Sequence, residues 1–506
     1  MTKLFLNLRY CSSLLFLTLS MSLSGQSYLF KDFIVIDGTG HPGELKDIRV
    51  RGDKIVLMGN LIPQINEKII EGHGRLVLAP GFIDTHSHHS RNLDDTAQFS
   101  SFLCQGITTL IVGQDGSSYL PIQDYFRERQ QKGLPVNLAS YAGHNTIRYE
   151  VMGNKDANRL ATRSEVKAMK KLVIREIKSG ALGLSTGLEY DPGIYSSKEE
   201  VMSLALAAAR LDGRYISHLR SEDIHLESAI EEIIDIGKRT NMPVQISHLK
   251  IAMKSKWGKS TDIVQRLDQA RAEGIQITAD IYPYDFWLSD LGVQFPKRDF
   301  DNKTSAEFAL RELTPPEGMI LSRYDARPEW VGKSIADIAL DRKEDPADTY
   351  MYLIKLAHEA KAEESVMGRS MTESDIVTFM QWPQANICSD GFGGGRHPRG
   401  TGSFPRVLDH YVKMLQIFPL EEAIRKMTSL SADHMGIVMR GKISHGYFAD
   451  LVIIDPDMVR DRSTLQDPYA LSEGIEQVYV NGQCVWTEAR YTNINPGIVI
   501  KNKRYN

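Results

Sequence analysis

Eight short apolar segments, most of them separated by amphipathic stretches, predict an α/β protein built as a TIM-like (β/α)8 barrel. In the amphipathic stretches the apolar residues recur at spacings of three and four, as on one face of a helix. The rival architecture is an open, doubly wound sheet, but no Gly-x-Gly-x-x-Gly follows an early strand. A closed barrel is therefore the predicted core of the chain.

The barrel is expected to span residues 80–434 of the 506-residue chain. Stretches such as Ser164–Ser179, Ser197–Leu211 and Leu226–Arg239 have the pattern of its helices. The interval between the last two strands is too long for one helix, so residues from about 286 to 375 are expected to form an inserted subdomain. The predicted strands are Phe82–Thr85, Thr108–Val112, Asn137–Tyr141, Ala181–Ser185, Tyr215–Ser217, Val244–Ser247, Ile275–Ile281 and Ala385–Ser389.

The two chain ends share a pattern of short alternating strands broken by turns. It is seen in Phe33–Ile36 and Ile48–Val50 near the start, and in Leu451–Ile454 and Glu476–Val480 near the end. We expect residues 26–79 and 435–506 to pair into one small β-sandwich that brackets the barrel.

The first residues have the composition of a secretory signal peptide. Lys3 and Arg9 precede the apolar run Leu14–Leu23, which is too short to span a bilayer and is followed by small residues. Cleavage near Gly25 would remove residues 1–25. The expected location is the periplasm or the exterior, with no membrane attachment after cleavage.

Composition limits the kinds of molecule that the chain is expected to bind. A net charge of −4 and a pI near 6.4 give no basic footprint for nucleic acid, so a small molecule is the expected ligand. Removal of the signal peptide leaves Cys104, Cys388 and Cys484, which are too few and too scattered for a disulfide framework. Buried free thiols are expected.

Potential metal ligands follow five of the predicted strands. His86 and His88 are one residue apart, so a strand would direct both imidazoles to one side. Singly, each ligand has a plain structural explanation: a capped turn, a core histidine or a helix cap. Together they predict a metal site, because the carboxyl ends of barrel strands converge on one face. The candidates are His86, His88, Asp115, His218, His248 and Asp390.

These motifs carry a resemblance to the amidohydrolase superfamily and, within it, to the D-aminoacylase (N-acyl-D-amino-acid deacylase) family. The resemblance runs from about Tyr28 to the carboxyl terminus. The motifs that carry it are Pro80–His88, Gly106–Thr109, Gly143-His144 with Arg148, Ser185–Leu188, His218–Glu222, Gln245–Lys250, Tyr282–Tyr284, Ser389–Gly391, His397–Arg399 and Phe404–Arg406.

The resemblance implies zinc-dependent hydrolysis of the linear amide of N-acyl-D-amino acids, which releases a carboxylate and a free D-amino acid. One or two Zn²⁺ ions are expected. His218 and His248, with Asp115, would hold the catalytic ion that supplies hydroxide at neutral pH. His86, His88 and Asp390 would hold a second ion, and Asp390 would also carry the proton from the water to the departing amine. Preference for the D-isomer is implied by the resemblance alone.

One ligand departs from the family pattern. Typical D-aminoacylases have a cysteine in Gly-Asn-Cys-Gly after the second strand, where this chain has Gly113-Gln114-Asp115-Gly116. A carboxylate can ligate or bridge two ions through its two oxygens, so Asp115 is the expected substitute.

The substrate carboxylate requires a fixed cation or donor. By resemblance, Lys250 and Tyr282 contact it, and the further candidates for this role are Arg220, Arg396 and Arg399. Tyr190 or His144 would stabilise the developing oxyanion, with a packing role as the alternative for Tyr190.

Three alternative functions remain open at this point. Cyclic-amide or cyclic-imide hydrolases of the same superfamily usually use a carboxylated lysine on the fourth strand, and Ala181–Thr186 contains none. Dipeptide cleavage is harder to separate, since a dipeptide is itself an acylated amino acid. A non-catalytic scaffold would be expected to lack at least one of the ligands, and none is missing.

Overall fold

The computed structural model describes residues 26–295, 297–392 and 394–505, without the side chains of Arg91 and Asn92. The predicted signal peptide therefore lies outside the described residues. Within the described ranges, no helix is both long and apolar enough to cross a bilayer. Cys104 and Cys388 are buried free thiols, and Cys484 is a half-buried one.

Parallel strands with mostly buried side chains form the middle of the chain, and each of the eight predicted segments overlaps one of them. The strands of one parallel sheet are Phe82–Asp84, Ile107–Val112 and Asn137–Ser140. Those of a second are Ala142–Gly143, Gly183–Gly187, Arg214–His218, Val244–Ile246, Ile277–Ile281 and Ala385–Ile387. The chain thus has an α/β fold with parallel strands at its centre.

Two connections join these parallel sheets. On one side only Tyr141 separates the strand Asn137–Ser140 from Ala142–Gly143. On the other side, the Asp390 N–H donates to the His86 carbonyl at 2.8 Å, and the His88 N–H donates to the Gly391 carbonyl at 2.9 Å. The segments after the first and last strands therefore run side by side, so His86, His88 and Asp390 meet.

The helices show the capping chemistry that their sequences suggest. Thr162 and Glu165 form a capping box at the start of one helix, and Asn241, in the left-handed conformation, ends another. The α-helices are Phe99–Leu103, Ile122–Lys132, His144–Met152, Arg163–Lys178, Lys198–Ala209, Leu226–Thr240, Ser260–Ala272, Lys303–Phe308, Ile335–Arg342, Pro346–Ala360, Glu373–Gln381, Arg399–Arg406, Leu420–Met427 and Ser429–Met435.

Both chain ends pair in one sheet of nine strands, which we call the terminal sheet. The sequence predicts a two-layer sandwich here. The structure joins the ends directly, because Leu451–Ile454 pairs antiparallel with Val77–Pro80 and bonds the halves into a single sheet. Its strands, in spatial order, are Arg490–Tyr491, Gln483–Thr487, Ile475–Val480, Leu451–Ile454, Val77–Pro80, Ser27–Val35, Glu44–Arg51 and Lys54–Gly59, with Lys68–Glu71 beside Ser27–Val35.

A separate antiparallel sheet lies in the chain between the strands Ile277–Ile281 and Ala385–Ile387. It consists of Phe286–Ser289, Glu364–Arg369 and Met319–Tyr324, in that spatial order. Trp287, Phe295 and Tyr350 belong to its own apolar core, apart from the main one. We call residues 286–375 the inserted segment, after the predicted bounds.

A buried polar network ties the terminal sheet to the parallel strands. Asp450 is paired with Arg440, and the two side chains are only 3% and 2% exposed. The other Asp450 oxygen accepts the Asn481 N–H at 2.8 Å, and Asn137 on a parallel strand donates to Asp450 at 3.1 Å. A carboxylate that satisfies three donors across an interface fixes how the two parts meet.

We expect Asp450→Ala to lower the free energy of unfolding by about 3–5 kcal/mol, because the Arg440 charge would stay buried without its partner. Urea denaturation measures the change. The matched control is Glu473→Ala, which breaks an ion pair with Arg462 whose side chains are 46% and 53% exposed. In the control, the free energy of unfolding should fall by no more than about 1 kcal/mol. Equal losses in the two variants would contradict the role of the network.

Candidate active site

Four of the predicted ligands surround one point. His86 Nε2 lies 3.3 Å from Asp115 Oδ2 and 3.4 Å from Asp390 Oδ1. His88 Nε2 lies 3.3 Å and 3.2 Å from the same two oxygens. Donors bound tetrahedrally to zinc at 2.0–2.2 Å lie about 3.3–3.5 Å from one another. The spacing of this first donor set therefore matches a four-coordinate ion.

A second donor set shares Asp115 with the first. His218 Nδ1 lies 3.1 Å from His248 Nε2, which lies 3.5 Å from Asp115 Oδ1. The two Asp115 oxygens thus face different donor sets. Three protein donors leave one position of a tetrahedral ion open, which is typical of catalytic rather than structural zinc.

Backbone conformation at three of the ligands is unusual. Asp115, His248 and Asp390 have φ of 54°, 35° and 49°, in the left-handed region that costs non-glycine residues about 1–3 kcal/mol each. Hydrogen bonds hold two of them: the His248 N–H donates to Asp280 Oδ1 at 2.6 Å, and the Asp390 N–H donates to the His86 carbonyl at 2.8 Å. Local strain of this kind clusters at functional sites.

Carboxylates fix the far nitrogens of two histidines. Glu222 Oε1 lies 2.9 Å from His248 Nδ1, and Glu189 Oε2 lies 2.9 Å from His218 Nε2. Each contact orients the ring and leaves its other nitrogen for an ion. The sequence analysis missed Glu189 altogether and gave Glu222 no role. The signal for Glu222 is its place four residues after His218, outside the strand but beside its end.

Asp390 is held as a carboxylate. Arg399 Nη1 contacts its Oδ2 at 2.6 Å, and both side chains are buried. Burial alone would raise the pKa of Asp390, but Arg399, His86 and His248 hold it well below its usual range. Since Arg399 engages Oδ2, the other oxygen, Oδ1, remains turned to the histidines.

The donors present fit a divalent cation. Asp115 Oδ1 and His86 Nδ1 are buried without a hydrogen-bond partner among the described residues. The Asp115 pKa lies well below its usual range, because the charges on His86 and His248 outweigh its burial. A buried, ionised oxygen with no donor is costly unless a cation compensates it. Imidazole and carboxylate donors at these spacings suit zinc.

Two adjoining cavities open onto the donors. The inner cavity, of about 50 Å³, contacts His218 and His248, and the outer cavity, of about 420 Å³, contacts His88 and Asp115. The residues that line both are Tyr190, Leu288, Ser289, Asp390 and Arg399. A linear molecule whose reacting bond lies beside Asp390 can therefore extend into each cavity.

The chain matches known proteins over most of its length. Residues 385–486 match the model of the Amidohydrolase family. The D-aminoacylase of Alcaligenes xylosoxydans xylosoxydans is 32% identical over 92% of this chain and 96% of that protein. The N-acyl-D-glutamate deacylase of the same organism is 31% identical over 92% of this chain and 95% of that protein. This chain belongs to the D-aminoacylase family of amidohydrolases.

Solved structures agree with this membership. The N-acyl-D-glutamate deacylase of Bordetella bronchiseptica, crystallised with zinc and a phosphonate inhibitor, has a TM-score of 0.84 and 30% identity. The match covers 94% of this chain and 100% of that one. The predicted family is thus confirmed, and the fold is that of D-aminoacylase structures.

Four of the predicted substrate contacts line the inner cavity: Tyr190, Lys250, Tyr282 and Arg399. Tyr282 has a buried hydroxyl without a hydrogen-bond partner among the described residues. Lys250 Nζ lies 2.7 Å from both Glu222 oxygens and 2.7 Å from His248 Nδ1, although the strand Val244–Ile246 ends before it. Tyr190 packs its ring 4.2 Å from that of His218. Burial keeps the pKa of Tyr190 well above its usual value, so its hydroxyl is a donor at neutral pH.

The other predicted contacts lie elsewhere. His144, at the start of a helix, places Nε2 2.8 Å from Glu200 and lines neither cavity. Arg220 is engaged by Glu232 at 2.8 Å and 2.9 Å. Arg396 is half-buried and also lines neither cavity. Of the three arginine candidates, only Arg399 reaches the site.

We expect Asp115→Ala to lower the zinc content by about one ion per chain, because the second donor set would keep only two ligands. Elemental analysis after dialysis against metal-free buffer measures the content. The control is Asp124→Ala, which removes a carboxylate that is 58% exposed on the helix Ile122–Lys132 and should change nothing. An unchanged zinc content in Asp115→Ala would place this residue outside the ligand set.

Proposed function

We propose that this chain hydrolyses the linear amide bond of N-acyl-D-amino acids and releases a carboxylate and a free D-amino acid. One observation carries the proposal: two donor sets that share Asp115 open onto a cavity lined by Lys250, Tyr282 and Arg399. Ion-binding groups suit amide hydrolysis, and cations beside them suit a substrate with a free carboxylate. The strand Gly183–Gly187 contains no lysine, which disfavours a cyclic-amide hydrolase.

The proposal includes a closed barrel of eight strands. The divided strand around Tyr141 would pass from one parallel sheet to the other, and the hydrogen bonds between His86 and Asp390 would complete the ring. In this arrangement the inserted segment covers one side of the barrel mouth, since Trp287 and Leu288 line the inner cavity.

The ligands are assigned from the two donor sets. His218, His248 and Asp115 would hold one Zn²⁺, and His86, His88, Asp390 and the second oxygen of Asp115 would hold another. When bound, zinc supplies a Lewis acid and brings the pKa of coordinated water from about 15.7 to near 7.

Asp390 would move the proton. Water oxygen bonds to the carbonyl carbon, the carbon–nitrogen bond breaks, and the leaving nitrogen must gain a proton. Asp390 Oδ1 would take a proton from the water and deliver it to that nitrogen. Arg399 fixes the carboxylate through Oδ2 and keeps it ionised at neutral pH, so it is ready to accept. The Tyr190 hydroxyl would donate to the developing oxyanion.

The substrate carboxylate would lie in the inner cavity. Lys250 and Arg399 offer positive charge there, and the Tyr282 hydroxyl offers an unused donor. Burial raises the pKa of Tyr282 well above its usual value, so the hydroxyl keeps its proton. This side of the substrate carries the free amino acid, and the acyl group would extend to the outer cavity.

We expect the zinc-loaded enzyme to release amino acid from N-acetyl-D-amino acids and not from their L-isomers, in an amine-release assay that also includes dipeptides and a cyclic imide. Activity confined to L-substrates, dipeptides or the imide would overturn the proposal.

In the variant Asp390→Asn, we expect kcat to fall by about 10²–10⁴-fold because the proton acceptor is lost. A fully active Asp390→Asn would remove the proton-transfer role from this residue.

We also expect Tyr282→Phe to raise KM by about 10- to 100-fold with little change in kcat, since one hydrogen bond to the substrate carboxylate is lost. Tyr125→Phe is a matched control. Its hydroxyl is likewise buried without a partner among the described residues, but on the helix Ile122–Lys132 and outside both cavities. If KM rises equally in both variants, or in neither, Tyr282 does not contact the substrate.

A further inference from the structure

The inserted segment gives the inner cavity an apolar wall. Trp287 and Leu288 from the strand Phe286–Ser289, and Val293 and Leu313 from short helical segments beyond it, line this side. Two polar residues, Ser289 and Gln294, lie among them. The donors from the parallel strands line the same cavity, where the carboxylate and α-carbon of a bound amino acid would be held. The side chain of that amino acid would therefore share the cavity with this wall.

Positive charge in the inner cavity is already matched. Among the described residues that line it, the only lysine or arginine side chains are Lys250 and Arg399, and they are paired with Glu222 and Asp390. The α-carboxylate of a substrate would use the hydrogen-bond donors of Lys250 and Arg399 that these carboxylates leave free. Two further acids, Glu189 and Asp223, line the same cavity. A second substrate carboxylate would meet negative charge without a free cation.

Arg298, another arginine near this wall, has its donors engaged within the protein. Its Nε donates to Asp191 at 3.0 Å, and its Nη2 donates to the Glu189 carbonyl at 2.8 Å. Its Nη1 faces three backbone carbonyls, the nearest of them that of Phe295 at 2.9 Å. A substrate carboxylate could recruit it only by breaking these contacts.

Gln294 adds polar atoms to this wall but no charge. Its amide NH₂ donates one N–H to Thr314 Oγ1 at 2.6 Å, and its carbonyl oxygen is buried without a partner among the described residues. The second N–H and this oxygen could bond a neutral amide, whereas neither neutralises the charge of a carboxylate.

We propose that the inner cavity selects N-acyl-D-amino acids with an apolar side chain and rejects those with an acidic one. This inference rests on the proposed function and narrows it to a substrate class. It separates this chain from the N-acyl-D-glutamate deacylase that it resembles at 31% identity.

The test compares N-acetyl-D-methionine, N-acetyl-D-glutamine and N-acetyl-D-glutamate on the zinc-loaded enzyme. These side chains have similar length and differ in polarity and charge. We expect kcat/KM to be at least about 100-fold higher for methionine than for glutamate, with glutamine between them. Equal or greater activity on glutamate would overturn the inference and leave the proposed function standing. No hydrolysis of any of the three would overturn both.

A variant tests the wall itself. Leu288→Lys adds a cation at a half-buried position that lines both cavities, and should shift the glutamate-to-methionine ratio of kcat/KM by at least about 10-fold toward glutamate. The matched control is Leu340→Lys, on the helix Ile335–Arg342 of the same inserted segment, where the leucine is 80% exposed. The control should leave the ratio unchanged. A ratio that stays fixed in Leu288→Lys would exclude the apolar wall as the selecting feature.

Discussion

The contact on which the site depends is the pairing of two backbone segments far apart in sequence. Hydrogen bonds between His86 and Asp390, and between His88 and Gly391, set the ends of the first and last parallel strands side by side. Without these hydrogen bonds, His86 and His88 would lie at one sheet edge and Asp390 at another. The positions of the ligands thus follow from main-chain geometry, and their side chains need only short, restricted movements to meet an ion. This is the preorganisation that a metal site requires.

The site also depends on backbone strain that its surroundings hold in place. Three of the six ligands adopt positive φ, a conformation that their own sequence does not favour. Asp280 compensates at His248 by accepting its N–H, and its other oxygen is held by Gln245 at 2.6 Å. A residue buried on the strand Ile277–Ile281 therefore supports a predicted ligand that follows the neighbouring strand Val244–Ile246. A small displacement of the strand Ile277–Ile281 would therefore move His248 through this hydrogen bond.

The sequence predicted which six side chains would lie together, because their positions follow a general rule of parallel strands. Each ligand comes directly after an apolar segment, and strand ends converge whatever the intervening helices do. His144 lies away from both cavities because a histidine after an apolar segment can instead begin a helix, and this one pairs with Glu200. Glu189, which the sequence did not reveal, lies on a connection whose path no periodicity predicts. The pairing of the chain ends was predictable from their strand pattern, but their union in one sheet depends on register.

The charges of the site show why an ion and an anionic substrate belong together. Lys250 is paired with Glu222 and Arg399 with Asp390, so these four groups nearly cancel. Asp115, Glu189 and Asp223 are then the carboxylates around the donors without a paired lysine or arginine among the described residues. Two divalent ions would outweigh these three charges and leave an excess of positive charge in a poorly solvated cavity, where Coulomb attraction is strong. That excess suits one substrate carboxylate, and a second would have to be buried without compensation.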